Sequence, residues 1–233
     1  MGKVKIKKKS THIDMTAMSD VTVLLLTFFM LTSTFLQKEP VQVITPPSVS
    51  NEVVPDEKLV QVLVAPNGKV YMGLTGAKDS TLLSTETFRK EVLQHAYNDY
   101  KESHPNAKAL SAKAVKEFSI LGTFGVPMKD LATWLELPME KRDEFLKNEG
   151  GIPIQLSVKD GPRNEFQTWL YAIKYVMQEK GIGKEWAGSG RGIAIKAEQN
   201  CPYSLVQVVM DNLQTENLNK FTLMTSLKQE EEE

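Results

Sequence analysis

Apolar positions concentrate in one stretch near the start of the chain. From Val21 to Leu36 there are 16 residues without a charged side chain. As an α-helix this stretch would be about 24 Å long, which is less than the ~30 Å hydrocarbon core of a bilayer. Starting the helix at Met15 gives about 33 Å, which is enough to cross. We therefore predict a transmembrane helix over residues 15–36, with Asp20 inside the membrane or at its edge.

The residues that flank this span predict its orientation. A single lysine, Lys38, lies just after the span. Five lysines precede it: Lys3, Lys5, Lys7, Lys8 and Lys9. Because loops rich in lysine stay in the cytoplasm, residues 1–14 are expected to be a cytoplasmic tail against membrane lipid, with the rest outside. A cleaved signal peptide is the alternative, and it is disfavoured because no small-residue cleavage site follows the apolar run.

Residues 37–57 contain Pro40, Pro46, Pro47 and Pro55 and show little periodicity, which is typical of an extended linker. Within this linker, Val41 to Pro46 alternates apolar and polar residues, like a short strand that could add to the edge of a sheet.

The pattern after the linker changes from strands to helices and back. Two apolar runs, residues 59–66 and 69–73, flank Asn67-Gly68, which predicts a hairpin with a two-residue turn. Residues 192–197 and 221–225 read as strands around an amphipathic helix over 203–213. We expect a small α+β domain from residues 58–79 and 188–228, followed by an acidic tail over 229–233.

Between these strands, residues 80–187 are expected to form an inserted helical block. Apolar stripes at helical spacing run from Phe88 to Tyr100 and from Phe166 to Met177. The second helix is predicted to have Pro162 in its first turn and to end at Gly181. Shorter helices are expected near 111–119, 127–135 and 138–148.

Composition excludes several classes of function. The net charge of −1 gives no basic surface for nucleic acid. The single cysteine, Cys201, reads as a packing residue, and the three histidines lack the spacing of metal ligands. The glycine-rich run 188–192 precedes a strand, so it reads as a loop and not as a phosphate site. No catalytic triad, metal or cofactor is expected, and the chain does not read as an enzyme.

The candidate chemistry lies in the span. Asp20, Thr27 and Thr34 recur every seven residues, almost two helical turns, and Thr16 lies one turn before Asp20, so one face is polar. Such a face needs a partner helix or a water path. An ionised carboxylate costs about 2.5–3.5 kcal/mol at mid-bilayer and less near the interface, so Asp20 is a candidate proton carrier. The alternative is a juxtamembrane acid that caps the start of the helix.

These residues resemble the ExbD/TolR family. The likeness rests on residues 14–21 with the run ending Phe28-Phe29-Met30, on residues 41–46, on 59–73, and on the closing strand–helix–strand block. Two departures stand out: Thr16-Ala17 replaces the family's Thr-Pro, and the acid usually found in the first closing strand is replaced near Glu198-Gln-Asn. The inserted block is absent from the family's compact domain.

The resemblance implies an ion-driven motor. A homodimer of these helices would lie in a pentameric ExbB-like channel, with Asp20 as proton carrier and Thr16, Thr27 and Thr34 on the pore face. Val41, Val43 and Pro46 would form a linker motif that binds a partner, a TonB-like protein that acts on outer-membrane transporters. The expected location is the bacterial inner membrane, with a periplasmic C-terminal domain.

Three questions stay open at this point. The system could be of the transport type or the TolR envelope-integrity type, and the ion could be proton or sodium. A membrane-anchored periplasmic binding module with an inert span is the alternative from another class.

Overall fold

The chain divides into two units, Met1–Lys38 and Glu39–Glu233. The structure is a computed structural model, and it describes residues 15–32, 43–48, 59–75, 85–156, 161–190 and 192–227. In the N-terminal unit the described part is helix α1, Met15–Thr32, whose 18 residues are all exposed. The predicted apolar helix is therefore present, and residues 33–36 of the predicted span lie outside the described residues.

The C-terminal unit contains the expected mixture of strands and helices. Its strands are β1 (Pro47–Ser48), β2 (Leu59–Val64), β3 (Val70–Thr75), β4 (Thr123–Phe124), β5 (Ile193–Ala197), β6 (Thr222–Leu223) and β7 (Ser226–Leu227). Its helices are α2 (Glu86–Ser103), α3 (Ala112–Ile120), α4 (Met128–Glu136), α5 (Met139–Asn148), α6 (Glu165–Glu179), α7 (Gly183–Gly188) and α8 (Tyr203–Thr215).

The main sheet is mixed, with the strand order β4-β3-β2-β5-β6. Strand β2 is antiparallel to β3 and parallel to β5, with Val62 opposite Met72 on one side and Ile195 on the other. Side chains at successive positions of β2 are buried, and alternate residues of a strand point to opposite faces. Both faces of this central strand are therefore covered, and the α+β prediction is confirmed.

The hairpin is confirmed, but its turn is longer than predicted. The Gly68 amide donates to the Ala65 carbonyl at 3.0 Å, and the Ala65 amide donates to the Lys69 carbonyl at 2.9 Å. Gly68 has a φ of 81°, whereas Asn67 keeps an ordinary φ. The loop therefore has three residues and ends in a left-handed glycine, because a two-residue turn of the predicted kind would need positive φ at Asn67 as well.

Helix α6 begins later than predicted. Asn164 is its N-cap and forms a capping box with Gln167, so Pro162 lies before the helix and not in its first turn. The predicted stop is confirmed: Gly181 has a φ of 76°, and the Ile182 amide donates to the Met177 carbonyl at 3.1 Å. Pro127 and Pro138 directly precede α4 and α5, as expected for residues that open helices.

The helices of residues 85–187 share one hydrophobic core with the sheet. Trp169 of α6 stacks on Phe118 of α3 at 5.7 Å and contacts Phe124 of β4 at 4.5 Å between ring centroids. Strand β4, which the sequence did not predict, extends the sheet beside β3. The region that the sequence presented as a helical block is thus joined to the sheet by a strand and by packing.

The Asn164 cap gives a stability prediction. Its amide also donates to Asn212 Oδ1 at 2.6 Å and to the Gln155 carbonyl at 3.2 Å, which ties α6 to α8. We expect Asn164→Ala to lower the free energy of unfolding by about 1–2 kcal/mol, because the cap and these bonds are lost. Urea unfolding of the full chain in detergent measures this. Asn164→Asp should lose less, since it keeps the cap acceptor, and the exposed Asn148→Ala is the control; equal losses in all three would contradict the assignment.

Glu165 gives a pH prediction. Its carboxylate accepts the Met128 amide at 2.7 Å, at the start of α4, yet burial raises the pKa of this carboxyl. The protonated form is favoured in the folded state, so the stability from this group is lost as pH rises from about 4.5 through the folded pKa. Glu165→Gln keeps the acceptor without the charge, so we expect it to be at least as stable as the parent at pH 7, with the difference closing towards pH 4.

Thermal unfolding across this pH range tests the Glu165 prediction. The exposed Glu185→Gln variant is the matched control and should follow the parent at every pH. A Glu165→Gln chain that is less stable at pH 7, with a difference that narrows on acidification, would show that the ionised carboxylate is the favoured form.

Candidate functional site

Helix α1 carries three of the predicted site residues on one side. Asp20 and Thr27 are seven residues apart, which leaves an angle of about 20° between them on a straight helix. Thr16 precedes Asp20 by four residues and lies about 40° away. We call Thr16, Asp20 and Thr27 the polar face; Thr34, which was predicted to extend it, lies outside the described residues.

The hydroxyl of Thr27 donates a hydrogen bond within the helix. It donates to the Leu24 carbonyl at 2.9 Å, one turn back along the helix. Its oxygen still has capacity to accept a hydrogen bond, so Thr27 faces outward as an acceptor. Thr27 lies about 10.5 Å from Asp20 along the helix axis, so a hydrogen-bond chain between the two needs at least one intervening group.

Other threonines of α1 lie away from the polar face. Thr22 is about 160° from Asp20 around the helix, and Thr32 is about 120° away. Each donates its hydroxyl to the carbonyl four residues earlier, at 2.8 Å. They satisfy their donors inside the helix, and they serve as matched controls for Thr27.

The described part of the linker lies against the folded unit. Val43 is 9% exposed and belongs to the hydrophobic core. The Ile44 amide donates to a carboxylate oxygen of Glu198 at 2.7 Å, and the Gln199 amide donates to the Ile44 carbonyl at 2.8 Å. The backbone of Ile44 is therefore bonded on both its donor and its acceptor, while its side chain is 67% exposed.

A short strand continues this attachment. Strand β1 pairs in parallel with β7, with Pro47 opposite Ser226 and Ser48 opposite Leu227. The sequence predicted a strand over 41–46, but residues 43–46 are not a strand, and the pairing falls on the two residues after them. We call Val43, Ile44, Glu198 and Gln199 together with the β1–β7 pair the linker dock.

The linker dock contains some predicted residues and some that were missed. Val43 is buried in it and Pro46 is half-buried, whereas Val41 lies outside the described residues. Glu198 and Gln199 were not predicted to contact the linker. The available signal was an acid directly after a buried strand, a position from which a carboxylate can reach a passing chain.

The described residues contain no group of three or more histidine, cysteine or acidic side chains placed to hold a metal ion. Cys201 is half-buried, and burial together with Glu198 raises the pKa of its thiol. A thiol in that state is a poor nucleophile, in line with the packing role expected of it.

Comparisons with curated proteins found short matches to plant enzymes. Pyruvate decarboxylase 4 and pyruvate decarboxylase 3 of Arabidopsis thaliana are each 34% identical to this chain over 80 residues. The match covers 34% of this chain and 13% of each enzyme, so the chain spans only a small part of the length of these relatives. No solved structure matches the chain.

A family model gives the broader match. The model described as Biopolymer transport protein ExbD/TolR matches residues 7–136, more than half of the chain. The matched region contains the polar face, the linker and the β2–β3 hairpin, and it extends through α4. Proteins of this family are non-enzymatic, single-pass inner-membrane subunits that work with ExbB/TolQ-like channels and TonB/TolA-like proteins. The chain belongs to the ExbD/TolR family of biopolymer transport proteins.

Proposed function

We propose that this chain is the ExbD-like subunit of an inner-membrane motor that uses the proton-motive force to energise a TonB-type protein and outer-membrane transport. One observation carries the proposal: the candidate membrane-spanning helix of the described residues, Met15–Thr32, contains a carboxylate, Asp20, in line with Thr16 and Thr27. An ionisable group within a spanning helix is costly and therefore indicates an ion path. Asp20 is the proton carrier in this proposal, and no cofactor takes part.

The exposure of α1 supports a partner in the membrane. Its apolar side chains would be satisfied by lipid, but the carboxylate of Asp20 would not. A second copy of the helix and a surrounding pentameric ExbB-like channel would supply polar contacts and water on that side. Small hydroxyl side chains such as those of Thr16 and Thr27 also allow helices to approach closely.

The proposed orientation follows from charge. The lysines before α1 support a cytoplasmic N-terminus and a periplasmic C-terminal unit. One elementary charge that crosses 100 mV releases about 2.3 kcal/mol, so sizeable mechanical work on a periplasmic partner would need several protons.

The linker is proposed to transmit this work and to bind the TonB-like partner through Val41, Val43 and Pro46. In the linker dock, the backbone of Ile44 and the side chain of Val43 are held by the chain itself. A partner that binds the linker as an added strand needs the same backbone groups. Partner binding and the linker dock would therefore compete.

Asp20→Asn tests the motor. It removes the titrating group at nearly constant size, so we expect proton-driven uptake through outer-membrane transporters to fall at least a hundredfold, with the protein still present in the membrane. Uptake assays in cells with and without a protonophore measure the effect. Uptake that persists at the parental level in this variant would contradict the motor and favour the anchored binding module.

The two threonine positions provide a matched comparison on α1. Thr27→Val removes the hydroxyl on the polar face, and we expect uptake to fall severalfold. Thr22→Val makes the same chemical change on the opposite side and should leave uptake unchanged. Equal effects of the two variants would argue against a polar face.

If cells that carry the Asp20 or Thr27 variants lose envelope integrity but keep uptake, the chain is of the TolR type.

Glu198→Ala tests the linker dock. The Ile44 amide loses a charge-assisted acceptor, so we expect its hydrogen exchange to quicken by roughly tenfold or more. Exchange measured by mass spectrometry on the full chain in detergent resolves this segment, and the exposed Glu185→Ala variant is the control. Binding of the TonB-like partner should strengthen in Glu198→Ala if the two compete. Unchanged exchange at Ile44 would show that the carboxylate does not hold the linker.

A further inference from the structure

A polar cleft of about 520 Å³ opens beside the start of α6, in the C-terminal unit and apart from the linker dock. Arg163, Gln167, Tyr171, Lys174 and Glu216 line it. Its volume lies within the range of small-molecule sites. The residues belong to α6, to the segment before it and to the end of α8.

Two cations in this cleft are fixed in position by one residue. Arg163 Nε donates to Glu216 Oε1 at 3.1 Å, and Lys174 Nζ donates to the Glu216 backbone carbonyl at 2.7 Å. The guanidinium of Arg163 also lies over the Tyr171 ring, with Cζ at 3.9 Å from the ring centroid. Both charges are therefore held in place before any ligand arrives, which lowers the entropy cost of binding.

Only some of the N–H groups of these cations donate hydrogen bonds within the described residues. The two terminal amino groups of Arg163 have no hydrogen-bond partner among the described residues, and together they form the end-on fork that matches two anionic oxygens. Glu216 contributes one negative charge against the two positive charges of Arg163 and Lys174. The lining therefore keeps one uncompensated positive charge.

Gln167 adds a neutral donor to the wall of the cleft. Its side chain is 4% exposed, and its Oε1 accepts the Asn164 amide at 3.0 Å, which identifies the other end of the side chain as the NH₂ group. That NH₂ group has no hydrogen-bond partner within the described part of the chain. The cleft thus offers a guanidinium fork, an ammonium and an amide donor.

We propose that this cleft binds a small anionic ligand through Arg163, Lys174 and Gln167, with a carboxylate or phosphate group as the part recognised. Carboxylate and phosphate both present paired oxygens at the spacing of the guanidinium fork. The family model ends at residue 136, so the matched region does not include this cleft. The site is independent of Asp20 and of the proposed motor.

The test is a titration of the full chain in detergent with inorganic phosphate and, separately, with acetate, at ionic strength held constant with chloride. Isothermal calorimetry and the arginine side-chain NMR signals report binding. We expect saturable binding of at least one anion, with affinity lowered roughly tenfold or more in Arg163→Ala and in Lys174→Ala. The exposed Lys184→Ala variant has the same loss of charge and should bind as the parent does.

The Gln167→Glu variant distinguishes loss of anion binding from loss of folding. It keeps an acceptor for the Asn164 amide but places a negative charge in the cleft, so it should abolish binding while helical content is preserved. Saturation by phosphate alone or by acetate alone identifies the group recognised. An absence of saturable binding to either anion overturns the proposal. So does binding that is unchanged in Arg163→Ala and Gln167→Glu, or that is weakened equally in Lys184→Ala.

Discussion

The length of the first helix constrains every interpretation of this chain. Eighteen helical residues from Met15 to Thr32 span about 27 Å, which is already slightly less than the hydrocarbon thickness of a membrane. Asp20 is the sixth residue of this helix, and the uncharged run from Val21 to Leu36 alone would reach only about 24 Å as a helix. The proposed motor therefore includes Asp20 in the span, and the cost of its carboxylate in lipid calls for a polar partner on the side of Thr16 and Thr27.

The linker dock sets a second constraint, which concerns how an effect could reach the C-terminal unit. Two hydrogen bonds of the Ile44 backbone, the burial of Val43 and a two-residue strand pair hold this part of the linker. Net contributions of about 1 kcal/mol for each hydrogen bond, and somewhat more for the valine, amount to a few kcal/mol. The free energy of the linker attachment is thus comparable to the energy released when one or two charges cross 100 mV. A proton-driven motor could therefore break or form this attachment.

Local signals in the sequence predicted much of this fold, and contacts between distant residues account for what it missed. The stripes of α2 and α6 and the prolines before α4 and α5 are local signals, and the helices formed where they indicated. Strand β4 has two residues, and the pairing partner of β1 lies at the far end of the chain, so neither leaves a pattern in its own neighbourhood. For the same reason the sequence suggested Asp20 but not Glu198, whose role depends on a backbone amide 154 positions away.

The start of α6 shows why such contacts escape a reading of the sequence. Three consecutive residues each bond to a different part of the chain: Arg163 to Glu216, Asn164 to Asn212 of α8, and Glu165 to the first amide of α4. The sequence predicted Pro162 in the first turn of this helix, so it assigned none of these three residues a capping or bonding role. Because Asn164 fixes where the helix begins, it also fixes where the guanidinium and the carboxylate on either side of it point. The cap therefore organises the helix junction and the neighbouring cleft together, although its side-chain hydrogen bonds go to Gln155, Gln167 and Asn212.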